Sequence, residues 1–260
     1  MGGFIDANLQ AAGWIYTAQS GDVDPSAASS PTAGTFAGFR CYKSNDGLTD
    51  YYVRLDFGVS VYNNAGIRLK YQVGTTVNGS GTLGGQVGTA QIVESANNNA
   101  TVRHFMSATA GRMSFALDQG NSLLNGVAFA IGRSVDTSGN PTSDGVETWQ
   151  CAGSYTGGVL NQFVTFSGTV LGVETTRWPC AFTGASPANF GTATLFGIPQ
   201  YFTQTGGLNP STHVGIADSQ LTVGTTITLT LYGTSYIYLM TGFQGVSGQN
   251  TNHHALIRYQ

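Results

Sequence analysis

Charge is what this chain has least of. Its 260 residues carry 10 basic and 13 acidic side chains, 9% in all, where a typical soluble domain has about 25%. Lysine is nearly absent, with Lys43 and Lys70 its only two positions. The net charge of −3 offers no basic face or stripe, so no nucleic-acid partner is expected. No apolar run reaches the roughly 18 residues that a membrane-spanning helix needs, so no membrane span is expected. Residues 1–16 lack a basic start and include Asp6, which does not read as a secretory signal. The expectation is a protein made in the cytoplasm that stays soluble or joins an assembly there.

Cysteine is scarce as well. Cys41, Cys151 and Cys180 are far apart, and no Cys-x-x-Cys or Cys-x-x-His pair exists, so a zinc site is not expected. They read as buried thiols that behave as small apolar residues, with a Cys151–Cys180 bridge left open. The catalytic templates are missing too: no Gly-x-Ser-x-Gly, His-Glu-x-x-His, phosphate loop or dinucleotide fingerprint occurs. The glycine-rich run from Gly79 to Gly85 lacks a following Lys-Ser/Thr and helix, and reads as a flexible loop. The Asp46-Gly47 and Asp144-Gly145 pairs read as turn formers. They lack the acidic spacing of a calcium loop. His253 and His254 adjoin on a strand and would point to opposite faces, which separates them as metal ligands. His104 and His213 have no acidic neighbour in sequence. Asp50 and Asp56 read as a strand-start turn and a partner for Arg54 or Arg68. No catalytic, cofactor-binding or metal-binding residue is therefore assigned, and no cofactor is expected.

Glycine takes much of the place of charge, at 37 residues, about twice the average share, together with Thr, Ser, Asn and Gln. Hydrophobic residues make up 41%, enough to build a core. This is the composition of a β-rich, turn-dense protein whose surface largely meets other protein, since interface cores are where charge is depleted.

The pattern along the chain agrees with an all-β class. One helix is predicted near the start, where Ile5, Leu9 and Ala12 form an apolar stripe and Gly13 stands at a left-handed C-terminal position. Residues 22–35 read as an exposed loop. Residues 50–59 alternate with period two, placing Tyr51, Val53, Leu55 and Phe57 on one face and Tyr52, Arg54 and Asp56 on the other. Ile67, Leu69, Tyr71 and Val73 repeat the pattern. Residues 78–88 read as a loop, residues 104–118 as a hairpin, and residues 127–133 as a central strand. Further strands are expected around Trp149, Phe163, residues 193–202, 225–232, 236–241 and 254–259. No fixed-period repeat occurs, which disfavours a solenoid or propeller. The expected architecture is one or two β-sandwich or jelly-roll-like lobes with a short N-terminal helix. Residues 1–135 and 146–260 would form two lobes around a turn-rich connector at 136–145, or one continuous domain.

A set of loose motifs points further. Ala12-Gly13-Trp14 closes the helix, Phe36-Ala37-Gly38-Phe39-Arg40 follows, and then Asp50-Tyr51-Tyr52-Val53-Arg54-Leu55 with Gly58. Gly111-Arg112 opens a strand that runs to Leu117, and Ala128 to Arg133 forms the next. The chain closes with residues 225–239 and His254 to Tyr259. This ordered set resembles a family of tailed-bacteriophage virion proteins of the tail or baseplate region. The resemblance implies a structural role in the virion, in the tail rather than the head, with copies of itself and other virion proteins as partners and no catalytic residues. Trp14, Tyr51, Tyr52 and Trp178 are the expected packing or interface aromatics. Two rival readings remain. Twelve Tyr and three Trp would also suit a receptor-binding fibre or capsid decoration protein that stacks on host-surface glycan. A carbohydrate-active β-sandwich enzyme would need two carboxylates roughly 5 to 9.5 Å apart across a cleft.

Overall fold

Helix α1 (Gly2–Ala11) opens the chain in the computed structural model, and it ends where the sequence predicts. Gly13 takes φ +91°. The Trp14 N–H donates to the Leu9 carbonyl and the Gly13 N–H to the Gln10 carbonyl, both at 3.0 Å. These two bonds form a Schellman cap, whose left-handed residue glycine supplies without a Cβ clash. The cap turns the chain sharply, so Ile5 and Leu9 bury on the helix while Trp14 buries just after it. The described residues are 1–25, 32–61, 67–94, 103–118, 127–136, 138–152, 158–165, 170–174, 188–190, 193–197, 200–202, 208–210, 214–218, 225–231, 233–240 and 253–259.

The rest of the described chain is antiparallel sheet. The first sheet is a five-stranded meander of β1 (Ile15–Gly21), β2 (Phe36–Lys43), β3 (Tyr52–Val59), β4 (Ile67–Val77) and β5 (Leu83–Glu94). The second is a six-stranded meander of β6 (Arg103–Thr109), β7 (Arg112–Asp118), β8 (Val127–Val135), β9 (Pro141–Ala152), β10 (Gly158–Thr165) and β11 (Val170–Glu174). A small hairpin pairs β14 (Gln200–Phe202) with β15 (Leu208–Pro210). The third large sheet joins β12 (Ala188–Phe190), β13 (Ala193–Gly197), β16 (Val214–Asp218), β17 (Thr226–Leu231), β18 (Thr234–Met240) and β19 (His253–Arg258), in the order β12-β13-β16-β19-β18-β17. The all-β, sandwich-like class is therefore the observed one. Its first two sheets run strand to neighbouring strand, without the Greek-key crossings that define a jelly roll.

The period-two pattern decides which faces meet. Tyr51, Val53, Leu55 and Phe57 are fully buried, as are Leu69, Tyr71 and Val73 on β4. They share one core with Met113, Phe115, Phe129, Ile131 and Val146 of the second sheet and with Ile5, Leu9 and Trp14. Tyr71 stacks on Phe129 across the gap at 4.8 Å between ring centroids. The opposite face of the second sheet carries small residues, Ala116, Ala128 and Ala130, and these pack against Leu239 and Ile257 of the third sheet. Small side chains on that face let the third sheet approach closely. The second sheet is thus the middle layer of three.

Three local expectations need correction. Residues 136 and 138–145, from the segment 136–145 read as a connector between lobes, are the β8–β9 turn and the start of β9. Asp136 Oδ1 accepts from the Ser138 and Asn140 N–H groups at 2.8 and 2.9 Å, and Gly139 takes φ +84°. Both sides of this turn lie in one sheet, with Val135 paired to Pro141. Asp144-Gly145 is likewise strand, not turn, and Gly145 pairs with Thr165. Residues 78–88, read as a loop, are a tight turn followed by β5, which pairs Leu83 with Val77. In each case the hairpin partner outweighs the turn propensity of Gly, Ser and Asp. By contrast, the hairpin expected over residues 104–118 is present, turning at residues 110–111 between Thr109 and its partner Arg112. No helix among the described residues is long and apolar enough to cross a membrane.

Candidate functional site

One end of the layered core gathers groups from all three large sheets. The β2–β3 loop contributes Ser44, Asp46 and Thr49, the β6–β7 turn contributes residues 109–111, and Arg112, Arg133 and Arg258 come from β7, β8 and β19. A cavity of about 230 Å³ opens between them.

The loop reaches this place because its sequence forms a turn. Gly47 takes φ +79°, and Asp46 Oδ1 accepts from the Leu48 N–H at 3.3 Å. That is the turn-forming role the sequence suggests for Asp46. The same carboxylate also does something the sequence does not announce: it grips Arg133. The Arg133 Nη2 donates to Asp46 Oδ1 at 2.7 Å and its Nε donates to Asp46 Oδ2. The pair is bidentate, the stronger form of arginine–carboxylate contact. Arg133 Nη2 also donates to the Thr49 carbonyl at 2.7 Å, and its guanidinium lies 5.1 Å from the centre of the Tyr51 ring.

Tyr51 and Trp14 lock the neighbouring turn. The Tyr51 hydroxyl donates to the Gly111 carbonyl at 2.9 Å, and the Trp14 Nε1 donates to the Thr109 carbonyl at 2.7 Å. Their rings meet edge to face at 5.5 Å. The Asn45 N–H donates to the Ala110 carbonyl at 2.8 Å. Burial pushes the Tyr51 hydroxyl well above the usual phenol range, so it acts here as a neutral donor. Of the four expected aromatics, Trp14 and Tyr51 therefore come together as buried packing residues. Tyr52 is half-buried on the opposite face of β3, and Trp178 lies outside the described residues.

Arg112 is the least compensated group. It is 4% exposed, and its Nη1 donates to Ser114 Oγ at 3.1 Å and to the Arg258 carbonyl at 3.0 Å. Its Nη2 donates to Ser107 Oγ at 2.9 Å. Its Nε meets no partner. Burial, reinforced by the nearby Arg258 charge, lowers its pKa to about 9. The Arg258 guanidinium sits 4.1 Å from the centre of the Tyr236 ring, and burial lowers its pKa also. Glu147 is fully buried on the same cross-strand row as Arg112, with Gly132 between them.

The remaining charged candidates form a second group, on the outer face of the first sheet. Asp56 bridges Arg54 at 2.6 Å and Lys70 at 3.3 Å. Arg54 is thus one of its two expected partners. Arg68 instead donates to the Gly34 carbonyl. Lys43 pairs with Asp50 at 3.1 Å. Cys41 is a buried free thiol, pushed up to about 11 by burial. Cys180 and His213 lie outside the described residues, as do the side chains of Cys151, His253 and His254. His104 is half-buried between the Phe115 and Phe4 rings at 6.2 and 5.9 Å. Among the described residues, no group of three or more His, Cys, Asp or Glu side chains gathers as a metal site would require.

Comparison with protein-family models, curated proteins and solved structures gives no match. The reading of this chain rests on its own residues. Sequence reasoning singled out Arg112 and Arg133 within strand motifs but not their convergence. The signal that could have found them is an arginine inside a strand whose other residues are small or apolar.

Proposed function

We propose that this chain is a structural protein of a tailed-phage virion, in the tail tip, baseplate or collar, acting through contacts with other virion proteins and copies of itself. The observation that carries the assembly part of this reading is the uncharged edge strand. β1 and β17 end the first and third sheets among the described residues, and neither contains Asp, Glu, Lys or Arg. β1 is mostly exposed, and β17 turns Thr226, Thr228 and Thr230 outward. Free edges template pairing with another strand, and monomeric proteins commonly blunt them with charge, above all lysine. The motif resemblance supports the virion setting.

The test is to supply the missing lysines. Sedimentation of the purified protein should show self-association that Gln19→Lys and Thr228→Lys together reduce at unchanged thermal stability. A monodisperse monomer at high concentration, identical with and without the lysines, would sink the assembly reading. Mass spectrometry of purified virions tests the setting separately, and the protein's absence from the particle would refute it.

A further inference from the structure

The cavity described above has an imbalance that packing does not explain. Among the described residues, three guanidiniums line it, from Arg112, Arg133 and Arg258, against one carboxylate, Asp46. Asp46 is already held by Arg133 in a bidentate pair. Glu147 is buried nearby but does not line the cavity. Arg112 is 4% exposed and satisfies its donors with two serine hydroxyls and one carbonyl, none of them charged. A buried cation without a counter-charge is unfavourable. An anion in the cavity would supply Arg112 with the counter-charge that its neutral partners do not.

We propose that this cavity binds a small oxyanion between Arg112 and Arg258, at the end of the core where the three sheets meet. The chemistry of the lining selects that class. Guanidiniums present a planar fork of donors that matches carboxylate, phosphate or sulfate oxygens. The site is preorganised: Tyr51 and Trp14 hold the β6–β7 turn through the Gly111 and Thr109 carbonyls. The Arg112 side chain is fixed by Ser107 and Ser114, and Arg258 by its stacking on Tyr236. Asp46 shields Arg133 and so directs the ligand to the other two arginines. The inference stands on the cavity alone and does not depend on the virion reading.

The experiment is titration of the full chain with sodium phosphate, and separately with sodium acetate, against sodium chloride at constant ionic strength. Calorimetry and thermal unfolding are the readouts. Saturable binding of phosphate, with a raised melting temperature that chloride does not reproduce, is expected. Binding of phosphate alone marks a free tetrahedral anion as the natural ligand. Equal binding of acetate marks a carboxylate, and both results support the oxyanion site. Arg112→Gln should weaken phosphate binding by roughly tenfold or more, since a charged hydrogen bond to the ligand is lost. Arg258→Gln, at a half-buried position, should weaken it in the same direction and decides the matter where Arg112→Gln does not fold. No saturable binding of either anion, or undiminished binding in the folded arginine variants, overturns the proposal.

Discussion

Replacing Asp46 by alanine tests the joint between the first and second sheets. The Arg133 side chain is 2% exposed and that of Asp46 18% exposed, so the pair is shielded on its cationic side and reached by water on the other. Removing one partner of a buried ion pair leaves an uncompensated charge and costs about 3–5 kcal/mol. Among its described contacts, Arg133 would keep the Thr49 carbonyl at 2.7 Å, Ser44 Oγ at 3.5 Å and the Tyr51 ring, none of them charged. Water can enter where the carboxylate stood, which places the loss at the lower end, about 3 kcal/mol. At about 2–4 °C per kcal/mol for a chain near this size, the melting temperature should fall by about 6–12 °C. Urea denaturation reports the loss as a lower midpoint at unchanged slope. The double variant Asp46→Ala with Arg133→Met should be more stable than Asp46→Ala alone, because it removes the stranded charge and leaves an apolar stem. A loss below about 0.5 kcal/mol in Asp46→Ala would refute the reasoning, since that is the size of an ordinary surface change. A double variant less stable than Asp46→Ala would refute it too.

Two further substitutions probe other parts of the fold. At Gly81, φ is +77° and an added Cβ would stand 2.2 Å from Phe39 Cε2, while its carbonyl accepts from Arg54 Nη1 at 2.9 Å. Gly81→Ala should lose about 3 kcal/mol from the left-handed backbone and the forced repacking together. Gly47→Ala, with φ +79° and nothing within 4 Å, should lose only the backbone share of about 1 kcal/mol; equal losses in urea denaturation would contradict the clash. For His104, burial lowers the pKa below its ordinary value of 6.5, the N-terminal ammonium acts in the same direction and Asp24 opposes. The unfolded chain therefore takes up this proton first as pH falls. Stability from the neutral imidazole is complete above about 6.5 and declines from there toward the lower folded pKa. His104→Phe should flatten that decline in urea midpoints measured between pH 7.5 and 5, and an unchanged pH slope would remove His104 as its source.

What the sequence made legible is what short-range geometry decides. The alternation at Tyr51, Val53, Leu55 and Phe57 needs only one buried face to be visible, and all four are fully buried. Gly13 announced its helix end because a left-handed residue has few chemical solutions. Residues 136–145 misled for the opposite reason. Their polarity is that of a strand end, with Pro141 and Ser143 exposed, and only the pairing of Val135 with Pro141 identifies them as hairpin. The candidate site was least legible of all. Asp46 and Arg133 are 87 positions apart, Arg112 and the Arg258 carbonyl 146, and no local pattern encodes contacts made by three sheets closing on one another.

The same closing of sheets changes what the scarcity of charge means. Composition says how few cations there are; the fold says where they go. Eight of the ten basic side chains have described surroundings, and none is exposed: Arg112 and Arg133 are buried, and Arg40, Lys43, Arg54, Arg68, Lys70 and Arg258 are half-buried. Five of these lie over aromatic rings, Arg54 on Phe39, Arg68 and Lys70 on Phe36, Arg133 on Tyr51 and Arg258 on Tyr236. Such contacts let a guanidinium or ammonium leave water at reduced loss. The described surface is consequently poorer in cations than the 9% charged composition suggests. Like charges on adjoining copies supply much of the repulsion that keeps proteins apart, and β1 and β17 lack even the single lysine that would block strand pairing. That is why adding two lysines at those edges is a sharper test of assembly than removing any aromatic from the core.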